Sequence, residues 1–177
     1  TLTPLMYLII AAFLVIATRS LSGTIATVIV IALSAAAAMG FGSWLNIPIS
    51  PPVSGAPVII LTVAVADCVH LLVTALVARG NGADKKTAII ESLSINAQPV
   101  FLTSVTTAIG LFSLNFSDAP PYRDLGTLSG FGALFAWIFS MSLFPALLTL
   151  MPMGASKSVD TQSRIMGRFA DWVILRR

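Results

Sequence analysis

Residues 56–78 read APVIILTVAVADCVHLLVTALVA, an apolar run with a single acid, Asp67, inside it. At about 1.5 Å of rise per residue the run reaches across about 30 Å of hydrocarbon as a helix, which places Asp67 near mid-membrane. A carboxylate at that depth costs about 2.5 to 3.5 kcal/mol on insertion scales. Such residues therefore face a protein interior and mark ion or proton paths. Asp67 is expected to handle a proton.

The surrounding chain has the same character. Hydrophobic residues make up 56% of the 177 residues and charged residues 10%, against about 25% charged in a soluble domain. Residues 20–66 carry no charged side chain at all. That length exceeds one span, and the cluster GFGSWLNIPISPPVSGAP over residues 40–57 divides it, because Gly and Pro end helices. Five membrane spans are expected, at about 4–18, 23–41, 57–78, 99–116 and 125–151. The chain begins without Met in an apolar stretch, so the N-terminus is expected to be truncated, and the basic leader of a cleavable signal peptide is missing. The one cysteine, Cys68, lies inside a span and reads as a small buried apolar residue.

Charge placement sets an expected orientation. Arg19, Arg79, Lys85, Lys86, Lys157, Arg164, Arg168, Arg176 and Arg177 fall in connections on one side, and Arg123 alone falls on the other. By the positive-inside rule the basic side is cytoplasmic, which puts the N-terminus outside and the C-terminus inside a plasma (inner) membrane. The net charge of +3 reports this topology, and nucleic acid is not expected as a partner.

Two cytoplasmic segments carry amphipathic helical patterns. Residues 82–97 set Ala88, Ile89, Leu93 and Asn96 along one side, with Pro99 then opening the fourth span. Over residues 156–177, Ile165, Met166, Phe169, Trp172 and Val173 recur at helical spacing between basic residues, a pattern suited to the inner leaflet surface. The expected fold is thus all-α: a polytopic bundle of five transmembrane helices plus two cytoplasmic interfacial amphipathic helices. Residues 1–155 form the membrane half-domain and 156–177 a connector helix.

Around Asp67, His70 and Thr74 share its helical stripe. His70 reads either as a second proton acceptor or as a neutral donor that orients Asp67. Thr103, Thr106, Thr107, Gly110 and Ser113 line one side of the fourth span, where hydroxyls could meet the carboxylate or carry a water chain. The expected relay set is Asp67, His70, Thr74, Thr106 and Thr107. Gly110, Gly126 and Gly130 are expected to let helices approach closely, and helix packing alone would also explain the threonines. One Asp and one His leave an ordinary metal site short of ligands, so no metal and no cofactor is expected beyond a proton gradient. An aspartyl hydrolase needs two acids, and a single acid lies within the spans, so an enzyme is not expected.

The motifs ADCVH (66–70), PVFLTSVTTAIGL (99–111) and FPALLTLMP (144–152) closely resemble the membrane half-domain of resistance-nodulation-division (RND) permeases, in the MMPL-type branch of lipid and hydrophobe exporters. The resemblance covers essentially the whole chain. It implies that the five spans correspond to the second through sixth helices of a twelve-helix protein, that the proton-relay acid is Asp67, and that the cargo is a hydrophobic small molecule or lipid. It also implies a partner for Asp67 in the remaining half of the permease, and an oligomer as one form of assembly. Drug-efflux members carry two adjacent acids where this chain has Asp67 followed by Cys68, so the two-acid arrangement does not transfer. The same five-helix unit looks like the sterol-sensing domain of Patched-like proteins, which implies the alternative of a lipid-binding or sensing module without proton coupling.

Overall fold

A computed structural model describes residues 20–151, together with Ala12 and Val15. Apart from Ala12 and Val15, the first expected span lies outside these residues, as does the helix expected over 156–177. Within them the chain forms four helices, α1 (Leu21–Trp44), α2 (Ala56–Gly80), α3 (Lys85–Phe112) and α4 (Pro120–Leu150), and no strand. All four are long and apolar enough to cross a membrane.

Local chemistry sets the helix ends. The Ser20 hydroxyl accepts from the Gly23 amide at 3.2 Å and so caps α1. Beyond Trp44, Asn46 adopts a positive φ of 56°, a conformation Asn tolerates better than most residues, and the chain reverses into the loop before α2. Pro57 sits in the first turn of α2, where its missing N–H costs no helical bond. At the other end Gly82, with φ 93°, turns the chain into α3. The four helices therefore alternate in direction. The end carrying residues 45–55 and 113–119 is called the upper end below, and the end carrying residues 81–84 the lower.

α2 and α4 form the central pair, and α1 and α3 flank it from opposite sides. Small residues permit the contact. A Cβ on Gly126 would lie 2.5 Å from the Leu111 carbonyl oxygen and 2.6 Å from Leu114 Cβ, and one on Gly130 would lie 2.5 Å from the Phe112 ring. Gly110 differs from the expectation made for it: it is exposed, and a Cβ there would meet no atom within 4 Å, so no close helix approach among the described residues depends on its lacking one. The outer surface carries Leu21, Ile25, Leu33, Ile95, Leu102 and Ile109, all exposed, as a lipid-facing surface requires. Trp44, Phe116 and Tyr122 are exposed together at the upper end, where aromatic side chains suit a membrane interface.

One expected division is absent. The amphipathic stretch before Pro99 and the span after it form one continuous helix, α3, with Pro99 inside it. The ring removes a single backbone bond, and tertiary contacts hold the lower part in line. Ser92 Oγ donates to the Leu71 carbonyl at 2.6 Å, and Asn96 Nδ2 donates to Thr74 Oγ1 at 2.9 Å. Ile89 packs with Leu71, Leu72, Phe144 and Leu148. The apolar face of this stretch thus meets the bundle rather than a membrane surface.

Candidate functional site

The buried faces follow steps of four along the helices. On α3 the buried row is Ser92, Asn96, Val100, Ser104 and Ala108, and on α4 it includes Gly132, Ala136, Ser140, Phe144 and Leu148. Asp67 belongs to the buried row of α2, between Ala64 and Leu71, and is 3% exposed. Where the three rows meet, Ser104 Oγ donates to Asp67 Oδ2 at 3.2 Å and Ser140 Oγ reaches the same oxygen at 3.5 Å. Ser140 Oγ also lies 2.9 Å from the Trp137 carbonyl. One hydroxyl carries one proton, so Ser104 is the firmer partner of the carboxylate.

An ionised carboxylate accepts hydrogen bonds only, whereas the protonated acid also donates one. Two hydroxyls on one oxygen serve either form, because each can rotate from donor to acceptor. The arrangement can therefore hold a proton at Asp67 or release it without repacking the helices around it.

Beside this buried contact lies a cleft of about 250 Å³ between α2 and α3, lined by Thr62, Val63, Ala66, Asp67, His70, Thr103, Ser104 and Thr107. The structure thus brings Asp67, His70 and Thr107 together. His70 is exposed on the cleft wall, while the hydrogen bonds to Asp67 come from α3 and α4. Thr74 stands apart: its hydroxyl donates to the His70 carbonyl and accepts from Asn96, so it ties α2 to α3 about two turns below Asp67. Thr106 is exposed and directs its hydroxyl to the carbonyls of Leu102 and Thr103 in its own helix, away from the carboxylate. Ser104 and Ser140 were absent from the residue set expected around Asp67. Their signal was the four-residue spacing of small and polar residues along α3 and α4.

Among the described residues, no three His, Cys, Asp or Glu side chains converge as metal ligands would. The chemistry of the site is that of one acid, hydroxyls and a nearby imidazole.

The comparisons with known proteins point the same way as the helices. A model of the family described as the sterol-sensing domain of SREBP cleavage-activation matches residues 8–163. No curated protein and no solved structure matches the chain. With nearly the whole chain covered by that match and four membrane-length helices behind it, this multi-pass membrane protein belongs to the sterol-sensing domain family, whose members are membrane modules related to lipid.

Proposed function

We propose that this chain is membrane machinery of a proton-driven exporter of the RND type, in which Asp67 gains and loses a proton as access alternates between the two sides. The observation that carries the reading is the Asp67 carboxylate itself: buried at mid-bundle, held by hydroxyls from α3 and α4, and bordering a cleft. A structural role alone would be met by Asn at lower cost, since an acid at this depth costs about 2.5 to 3.5 kcal/mol. The resemblance of ADCVH and PVFLTSVTTAIGL to RND permeases supports the same reading. The driving force is the proton gradient, whose electrical part supplies about 2.3 kcal/mol per charge per 100 mV.

In this reading the cargo is a hydrophobic molecule or lipid, and Asp67 is answered by groups in the remaining half of the permease. The protein is a transporter rather than an enzyme, uses no cofactor and sits in the plasma membrane with its basic lower end cytoplasmic. A second reading, a lipid-binding or sensing module without proton coupling, is favoured by the family match and by the cleft between α2 and α3.

The test is export of a fluorescent lipid in everted membrane vesicles under an imposed pH gradient, with protein level as control. Asp67→Asn is expected to reach the membrane and lose gradient-driven export. His70→Ala is expected to give a smaller loss if His70 orients Asp67, and a comparable loss if both carry protons. Undiminished export by Asp67→Asn would leave the lipid-binding module as the better account.

A further inference from the structure

α3 and α4 each contain one internal proline, Pro99 and Pro145. Ser104 lies five residues after Pro99, and Ser140 lies five residues before Pro145. Because the two helices run in opposite directions, both prolines sit on the lower side of the hydroxyl that meets Asp67. Each removes a backbone hydrogen bond from its helix and makes that turn the place where a bend is cheapest.

The ties differ above and below this level. Below it, Lys85 Nζ donates to the Thr149 and Met151 carbonyls at 2.7 and 2.6 Å, joining the start of α3 to the end of α4. Ser92 and Asn96 join the same part of α3 to α2. Above it, α3 and α4 are joined to each other through Gly126 against Leu111 and through Thr127 Oγ1 donating to Asn115 Oδ1 at 2.9 Å. Among the described residues, the hydrogen bonds from α2 to these upper halves are the two on Asp67. Elsewhere the upper pair meets α2 through apolar contact alone, Ile60 on Gly132 and Ala56 and Ile60 in one cluster with Leu128.

The geometry points to a latched hinge: the upper halves of α3 and α4 move as one body about Pro99 and Pro145, the lower ends stay clamped by Lys85, Ser92 and Asn96, and the serine bonds to Asp67 keep the α2–α3 cleft from widening. This deepens the proposed role of Asp67 and rests on it, because the carboxylate that carries the proton is then also the group that joins α2 to the upper halves of α3 and α4. Among the described residues, the titratable groups near the latch are few. His70 and Cys68 stand beside Asp67 on α2, α1 carries none, and those of α3 and α4 lie toward the helix ends, at Lys85, Lys86 and Glu91 and at Tyr122, Arg123 and Asp124.

The size of the motion follows from helix geometry. Residues 100–112 of α3 span about 20 Å at 1.5 Å rise per residue, so a bend of about 20° carries their tip about 7 Å. Nitroxide labels on three cysteine pairs measure it by electron–electron distance in the full-length protein in lipid nanodiscs, with native cysteines replaced. Ser54→Cys with Ser113→Cys spans the upper ends of α2 and α3, Gly80→Cys with Lys86→Cys their lower ends, and Ser113→Cys with Tyr122→Cys the α3–α4 pair. Ser104→Ala combined with Ser140→Ala is expected to add a population about 7 Å longer at the first pair and to leave the other two unchanged. Adding Pro99→Ala and Pro145→Ala is expected to remove that population, and Lys85→Met is expected to broaden the lower pair alone. An unchanged first pair, insensitivity to the prolines, or all three pairs moving together would overturn the hinge. The distances are read without a gradient, so a protein that hinges but exports normally as Asp67→Asn keeps the latch and loses only the proton reading.

Discussion

Gly126→Ala is the sharpest probe of how closely α3 and α4 approach. The added methyl would sit 2.5 Å from the Leu111 carbonyl oxygen and 2.6 Å from Leu114 Cβ. The first neighbour is backbone and cannot rotate away. Restoring an ordinary contact of about 3.5 Å requires the helices to part by about 1 Å, and overpacking of this kind costs about 1 to 3 kcal/mol. Gly110→Ala serves as the internal control, since the same methyl there meets nothing within 4 Å. Gly is about 1 kcal/mol worse than Ala inside a helix, so the control is expected to be neutral or slightly stabilising. The propensity gain is common to both variants, so unfolding in detergent, followed by tryptophan emission against denaturant, should separate them by the overpacking cost of about 1 to 3 kcal/mol. Equal stabilities, or a larger loss at Gly110, would refute the described contact between the helices.

Three further outcomes follow from the same geometry. Lys85→Met is expected to cost about 1 kcal/mol, since its two hydrogen bonds to the end of α4 lie near the surface and part of their strength is lost to solvent; denaturant titration against wild type checks it. Ser129→Ala is expected to be neutral or stabilising by about 1 kcal/mol in the same titration, because the Ser129 hydroxyl is buried with no hydrogen-bond partner among the described residues. Cysteines placed at Asn46 and Asp118, with Cys68 replaced, should react with an impermeant thiol reagent added outside intact cells while one at Gly82 should not. The reverse labelling pattern would overturn the orientation drawn from the basic residues.

What could be read in the chain before its structure depended on how local each signal was. Asp67 stood out because nothing else acidic interrupts its apolar run, and the break over residues 40–57 coincides with the loop between α1 and α2. The continuity of α3 did not show, because a proline before a span reads as a helix start, whereas Pro99 is carried through by ties from Ser92 and Asn96 to α2. On α3 the side facing the cleft and the side buried in the bundle are adjacent, and Thr103 and Thr107 line the cleft beside Asp67. The threonine-rich side at 103, 106 and 107 drew attention by composition, yet the buried row runs through Val100, Ser104 and Ala108. Gly132, Ala136 and Ser140 are small residues four apart, and the assembled bundle brings the last of them to the carboxylate. His70 lay on the right stripe by sequence, and its exposure on the cleft wall is a property of the neighbouring helices that the stripe alone does not contain.

In the proposed function Asp67 exchanges a proton as the protein works. Everted vesicles carrying a pH-sensitive dye and the full-length protein measure this directly when a fluorescent lipid is added after the gradient is established. The wild type is predicted to draw protons down the gradient on lipid addition, with Asp67→Asn abolishing that movement at equal protein level. Lipid-dependent proton movement that persists unchanged in Asp67→Asn would contradict the account.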